Sequence, residues 1–300
     1  MLPGAPTHIA QMTGTAALQE FIERHRSILV LTGAGCSTNS GIPDYRDVDG
    51  AWKHAQPMTF QAFMGSESAR RRYWARSLVG WRRIGAAQPN TAHAALAKLE
   101  ALGRSELLLT QNVDGLHQRA GHHRVVDLHG RLDEVRCMGC GLTILRDEMQ
   151  MLLVHLNPAW AGLAGMHGPD GDADLDTKDF SAFVVPGCPD CRRVLKPDVV
   201  FFGENVPRRR VDEALAVLAR ADAMLVVGSS LMVYSGFRFV QAAADAGKPV
   251  AGVNLGRTRA DGLLALKVEA DCAAALSFLL EASPAEAEGT MPQARKGGQG

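Results

Sequence analysis

The chain lacks any imbalance of charge: 300 residues carry 32 Lys+Arg against 32 Asp+Glu. With no excess of positive charge to set against phosphate backbones or anionic lipid, a general nucleic-acid binder or a membrane-surface protein is not expected. Long apolar runs are missing too. Bursts such as ILVLTG and MLVVGSS stop well short of the roughly 18 residues of a membrane span. No signal-peptide core is visible, and residues 1–20 contain no Arg or Lys, so they lack the Arg-rich character of an organelle transit peptide. The expected location is the cytoplasm. There is no internal repeat. What is present, 46% hydrophobic and 21% charged residues, describes a folded globular protein. The length allows about two domains at roughly 150 residues each.

Short apolar runs closed by Gly, Asp or Asn read as buried parallel strands at 27–32, 107–110, 124–128, 199–202, 223–227, 250–254 and 266–269,. Helical patterns at 16–25, 91–102, 208–220, 236–246 and 273–281 alternate with them. This rhythm predicts an α/β fold, a doubly wound Rossmann-type parallel sheet built from 14–47, 89–134 and 198–282. Two stretches break it and predict a smaller inserted lobe. Residues 48–88, with the basic run Arg70, Arg71 and Arg72, read as helices and loops, and 135–197 carries paired cysteines around a Gly/Pro/Asp-rich middle. Residues 283–300 read as a disordered tail. Asp170, Asp172, Asp174 and Asp176 imitate the spacing of a calcium loop. Leu175 replaces its turn glycine and Ser181 its bidentate glutamate, so a solvated loop is the better reading,.

Four of the six cysteines form two C-x-x-C pairs, Cys137 with Cys140 and Cys188 with Cys191, 47 residues apart. That exceeds the usual separation of about 15 to 20, but four thiolates still suit one structural Zn²⁺, closed to water and stapling a lobe too small to hold itself together. Free thiols or a redox pair are the alternative.

Three polar groups follow predicted strands, at the edge where ligands of such sheets bind. Gly33 and Gly35, after the strand ending at Thr32, allow a tight turn and close approach to a pyrophosphate, although a glycine-rich turn explains G-x-G equally well. The third glycine of the dehydrogenase pattern is absent. Gln111, Asn112 and Asp114 follow Thr110 and suit ribose hydroxyls and a carboxamide, or simply a turn. His129 follows Leu128, and an imidazole there has a pKa suited to taking a hydroxyl proton near neutrality. His93 and His117 fall in helical patterns and are expected to pack or hydrogen-bond. Val200 and Phe202, in KPDVVFFGE, could pair along a strand edge with an extended peptide or belong to the core.

Taken in order, GAGCS, GIPDYR, QNVDGLH, the HG pair at His129, the two C-x-x-C pairs, VVFFGE, GSS, NLG at 254–256 and Cys272 closely resemble the sirtuins, NAD-dependent protein lysine deacylases. The likeness runs from about residue 16 to 280. The runs RRRYWARSLVGW, QPNTAH and GSSLMVYSGFRF resemble the class II branch, which includes the fourth vertebrate sirtuin, a mitochondrial protein, and bacterial members. The resemblance implies that NAD⁺ and acyl-lysine proteins meet between the two lobes. The acyl oxygen would attack the ribose carbon as nicotinamide leaves, His129 would act as base with Asn112 beside it, and the acyl group would end on ADP-ribose.

Carried over by position, Gly33, Ala34, Gly35, Cys36 and Ser37 would line the phosphates, with Cys36 where isoleucine is common and an oxidisable thiol a liability. Ile42 and Asp114 would hold the carboxamide, and Pro43, Asp44, Tyr45 and Arg46 would form the cofactor loop. Gln111 and Asn112 would serve the nicotinamide ribose, while Gly228, Ser229, Ser230, Asn254, Leu255, Gly256 and Cys272 would surround the adenosine. Val200, Phe202, Gly203 and Glu204 would meet the peptide. Tyr73 and Arg76 resemble the Tyr-x-x-Arg pair that receives acidic acyl groups, Arg76 being equally suited to a solvated basic face. Transfer of ADP-ribose to a protein, or a non-catalytic NAD-sensing module, are the competing readings.

Overall fold

The computed structural model describes residues 14–53, 57–163, 173, 175 and 179–281. The expected tail and the four aspartates of the calcium-like spacing lie outside the described residues. Six strands form one parallel sheet in the order β3-β2-β1-β7-β8-β9: β1 (Ile28–Thr32), β2 (Ser105–Thr110), β3 (Val125–Asp127), β7 (Ala223–Val227), β8 (Val250–Val253) and β9 (Leu266–Val268). All five residues of β1 and of β7 are buried. A strand covered on both faces has no position for a polar side chain pointing to water, which is why these runs show no alternation.

Helices α1 (Gly14–Arg24), α4 (Thr91–Ala101), α9 (Cys272–Leu276) and α10 (Phe278–Glu281) cover one face of the sheet, around Val30, Leu96 and Leu225. Helices α7 (Arg208–Arg220) and α8 (Tyr234–Asp245) cover the other, around Leu29, Leu31 and Phe239. Each such fully buried side chain contributes about 1.5–3 kcal/mol. The helix expected over 273–281 is divided, because Ser277 separates α9 from α10.

A third core lies apart, around Phe63, Trp74, Phe183 and Phe201. Helices α2 (Phe60–Gly65), α3 (Glu67–Ala86) and α6 (Arg146–Leu156) build it with an antiparallel sheet of order β5-β4-β6, formed by β4 (Gly130–Cys137), β5 (Thr143–Leu145) and β6 (Leu195–Val199). Helix α5 (Leu116–Arg119) is a single turn after β2.

The strand expected at 199–202 needs correction. The extended run is 195–199, pairs antiparallel with β4 and belongs to the small sheet. Beyond Val199 the chain is diverted, since the Val200 amide donates to the His129 carbonyl (2.7 Å) and the Phe201 amide to the Glu204 carboxylate (3.0 Å). A continuous apolar run does not reveal which sheet will bury it. Among the described residues no helix is long and apolar enough to cross a membrane.

Candidate active site

Strand register brings the polar residues together. Thr32 pairs with both Thr110 and Val227, and Thr110 pairs with Asp127. Four chain segments therefore leave the sheet at one level, with Gly33, Gln111, Leu128 and Gly228 next in line. The sheet order reverses at β1, and the crevice opened at such a reversal is where doubly wound sheets bind ligands. Here it is a cleft of about 470 Å³, within the range of small-molecule sites, roughly 300–1,000 Å³.

Its floor is backbone. Gly35 donates to the Gly228 carbonyl (2.8 Å), and Gly228 adopts φ +63°. A Cβ on Gly228 would stand 2.3 Å from the Cys36 amide nitrogen, so the loops after β1 and β7 close on each other only if this residue has no side chain.

A polar network occupies the next layer. Asn112 Nδ2 donates to the Gly33 carbonyl (3.1 Å) and to Ser37 Oγ (3.0 Å), and Ser37 Oγ donates to Asp114 (2.7 Å). Asp114 also accepts from the Leu116 amide (2.9 Å). Behind Ser37, buried His93 accepts the Asn90 amide on Nδ1 (3.2 Å) and turns Nε2 to Ser37 Oγ (3.4 Å). His117 is buried with Nε2 at 2.9 Å from Thr32 Oγ1. Burial lowers the pKa of both histidines, and both act as packed, hydrogen-bonded groups.

Ile42, Pro43, Asp44, Tyr45 and Arg46 line the cleft from the loop after β1. Asp44 is paired with Lys53 at 2.6 Å, and the Arg46 guanidinium lies 4.0 Å over the Trp52 ring. Gly33, Ala34, Gly35, Ser37, Ser229, Ser230, Asn254 and Leu255 line it as well, whereas Cys36, Gly256 and Cys272 do not. The two thiols lie beneath the wall, 1% and 5% exposed. Burial pushes Cys36 well above the usual thiol range and Cys272 up to about 12. A protonated, covered thiol is a poor nucleophile, which removes the expected oxidative liability.

His129 stands at the centre. Nδ1 lies 3.0 Å from the Gln111 carbonyl and Nε2 2.8 Å from Ser235 Oγ. A carbonyl only accepts, so Nδ1 carries the hydrogen and the Nε2 lone pair faces the hydroxyl. Burial drives the pKa down to about 4, against the Gln111 bond, which favours the charged form, and with a smaller push from Arg210. The ring is a neutral acceptor at neutral pH.

The opposite wall belongs to the small lobe. Val200, Phe202, Gly203 and Glu204 cross the cleft mouth, and the segment is tied down where the Phe60 amide donates to Phe202 O (2.9 Å) and Gln61 to Gly203 O (3.0 Å). Lys196, 5% exposed at its side chain, bonds the Val199 carbonyl (2.5 Å) and Glu204 (3.1 Å), fixing the turn from beneath. Tyr73 lines the cleft inside an aromatic cluster with Phe63, Trp74 and Phe201. Arg76, one turn along α3, is half-buried and outside the cleft lining. The expected carboxylate-binding pair is thus not assembled around one space.

The four paired cysteines meet away from the cleft, with all four sulfurs within 4.8 Å of one another. Cys137 Sγ is 3.4 Å from Cys191 Sγ, and Cys140 Sγ is 3.7 Å from Cys188 Sγ. Four sulfurs about 2.3 Å from a central Zn²⁺ stand about 3.8 Å apart in a tetrahedron, so the set fits that ion. Backbone amides of Cys140 and Gly139 point at Cys137 Sγ and lower its pKa to about 6, whereas Cys140, despite the Leu142 amide, is pushed up to about 12 by the sulfurs of Cys191 and Cys137, so without an ion the first negative charge sits on Cys137.

Ser235 and Arg238 from α8 and Leu132 from β4 also line the cleft, and their residue types and spacing did not mark them. Ser235 lies in the run GSSLMVYSGFRF, where nothing in residue type or spacing separates it from helix filler.

The sequence pattern of the Sir2 family matches residues 33–235. An NAD-dependent protein deacetylase of Xanthomonas campestris is 69% identical over 88% of this chain and 90% of its own. NAD-dependent protein deacetylase 2 of Bradyrhizobium diazoefficiens is 66% identical over 88% of this chain and 97% of its own. Among solved structures, Sir2 with a p53 peptide and NAD⁺ is similar at TM-score 0.69 and 31% identity, over 88% of this chain and 96% of that one.

Proposed function

The chain belongs to the Sir2 family and is an NAD-dependent protein deacetylase; we propose that His129 is its base and that the cleft between the sheet edge and the small lobe holds NAD⁺ and acyl-lysine together. The observation that carries this reading is the single cleft shared by the Gly33–Gly35 turn, Asn112, Asp114 and the neutral imidazole of His129.

NAD⁺ supplies an electrophilic ribose carbon with nicotinamide as leaving group, and hydroxyls that receive the acyl group. The chain's residues divide the rest. Gly33, Ala34, Gly35 and Ser37 offer a floor without obstructing side chains to the phosphates. Ile42 and Asp114 receive the carboxamide, and Gln111 and Asn112 the ribose. Ser229, Ser230, Asn254 and Leu255 receive the adenosine half, and Pro43 to Arg46 close over the cofactor. Val200, Phe202, Gly203 and Glu204 hold the peptide, and Tyr73 walls the acyl chain from water. His129 takes a hydroxyl proton on Nε2, the nitrogen that carries none. Cys137, Cys140, Cys188 and Cys191 hold one Zn²⁺ whose role is structural, because four thiolates leave it no open position.

We assign 14–47, 89–129 and 200–281 to the NAD-binding domain and 48–88 with 130–199 to the small lobe, moving the expected boundaries at 134 and 198 because β4 and β6 both pair in the small sheet, and the chain to the class II branch on its runs from Arg70, Gln88 and Gly228. A reducing compartment, the cytoplasm, suits the thiolate site. Because Arg76 lies outside the cleft lining, acetyl-lysine is favoured over lysines that carry an acidic acyl group. Nicotinamide release should require an acetyl-lysine peptide and exceed that with a glutaryl-lysine peptide. Faster glutaryl turnover would return Arg76 to the pocket, and ADP-ribose retained on a protein acceptor without free lysine would favour the transferase reading.

Acidity provides a second check. A base that stays neutral down to about pH 4 keeps activity where an ordinary histidine, with a pKa of about 6.5, would lose it,. The acid limb of kcat/KM should have its midpoint below pH 6. A midpoint at 6.5 or above, in protein shown by circular dichroism to be folded, would contradict the buried neutral ring. Folding is affected in the same direction. His93, His117 and His129 bind protons more weakly folded than unfolded, so stability declines as pH falls below about 6.5.

A further inference from the structure

We propose that Ser235 is a proton relay, through which the substrate hydroxyl reaches the base. The inference rests on the reading of His129 as base and goes beyond it. In the free protein the Nε2 lone pair is already engaged, because Nδ1 donates to Gln111 O and Nε2 accepts from Ser235 Oγ at 2.8 Å. A substrate hydroxyl can therefore reach Nε2 only by displacing Ser235 or by passing its proton through it.

The surroundings favour passage. Ser235 itself lines the cleft, and a serine oxygen that is donating its hydrogen still has lone pairs with which to accept one. The residue is also held in place. It lies in the first turn of α8, and the next residue, Gly236, is pressed so closely on Gln111 that a Cβ there would stand 2.5 Å from the amide nitrogen. The Gln111 side chain is fixed in turn by Ser229 Oγ (2.6 Å). Gln111 thus bonds the ring through its carbonyl and supports, through its side chain, the turn that carries Ser235. One residue sets both ends of the His129 hydrogen-bond chain.

The step balances. The substrate O–H bond breaks as an Oγ–H bond forms on Ser235, and the former Oγ–H proton moves to Nε2. Serine ends unchanged, the ring ends as imidazolium, and the electron pair stays on the substrate oxygen for its bond to the acyl carbon.

The test uses Ser235→Ala and Ser235→Thr in the full chain. In NAD-free protein with ¹⁵N-labelled histidine, the Nε2 resonance of His129 should shift in S235A and return in S235T, with both variants keeping the wild-type fold and zinc content. With substrates, S235A should lose about 10²-fold in kcat, within the range of proton-transfer catalysis. KM for NAD⁺ should change less than about twofold, as expected when only transition-state interactions are lost. Rates in mixtures of light and heavy water should reveal two protons in flight in wild type and S235T, and one in S235A. Wild-type kcat in S235A, or one proton in flight throughout, would overturn the relay and leave displacement as the route. His129→Ala separates the two failures: an inactive H129A beside a fully active S235A sinks the relay alone, whereas an active H129A sinks the base and the relay together.

Discussion

His129→Ala is expected to bind NAD⁺ within about threefold of wild type and to lose about 10²- to 10⁴-fold in turnover, the usual contribution of a positioned base. The separation of binding from turnover follows from the contacts. The ring is held by Gln111 O and Ser235 Oγ, whereas the floor of the cleft is built by Gly33, Gly35 and Gly228 closing on one another. Deleting the imidazole leaves that floor intact and removes the neutral imidazole that faces the shared crevice. Calorimetry with NAD⁺ and nicotinamide release with an acetyl-lysine peptide measure the two sides. Undiminished turnover would take the base role from His129, and a collapse of NAD⁺ affinity would show that the ring is part of the binding wall.

Cys188→Ser should cost the protein its zinc and the order of the small lobe. In zinc-finger peptides the ion supplies about 10–16 kcal/mol of apparent folding free energy, as large as the whole stability of a native protein, roughly 5–15 kcal/mol. The ligands join segments 47 residues apart, and the sheet they anchor has only three strands. That sheet also holds Val199, after which Val200 to Glu204 emerge to line the cleft. Metal analysis should show one zinc per wild-type chain and little in C188S. Proteolysis should open 135–197 first, and deacetylation should be lost. A zinc-free C188S with wild-type melting temperature and activity would make the ion dispensable.

Much of the frame was legible because it depends on local chemistry. Strands buried on both faces must be continuously apolar, and β1, β2, β3, β7, β8 and β9 each lie within or overlap a run read that way. Glycine turns and polar residues after strands mark the ligand edge of any parallel sheet, so Gly33, Asn112, Asp114 and His129 were visible before their distances were known. The C-x-x-C spacing marked the four cysteines that the fold brings together in an arrangement able to hold an ion, since two thiolates three residues apart can share one,. The antiparallel sheet was less accessible. β4 carries charged residues along an alternating strand, and the apolar run after Lys196 satisfies either sheet equally.

By itself the sequence determined the α/β class, the paired cysteine set and the imidazole that follows a strand at the ligand edge, because each follows from residue type and short spacing along the chain. Only the tertiary structure decided that Arg76 stays outside the cleft while Tyr73 enters it, that Cys36 and Cys272 lie protonated beneath the wall, and that Ser235 meets Nε2 of His129 from 106 residues away. The physical reason is the same for all three. A helix position fixes only a side chain's direction relative to its own axis, and which neighbour it meets depends on how separate elements dock, a property carried by long-range packing and strand register.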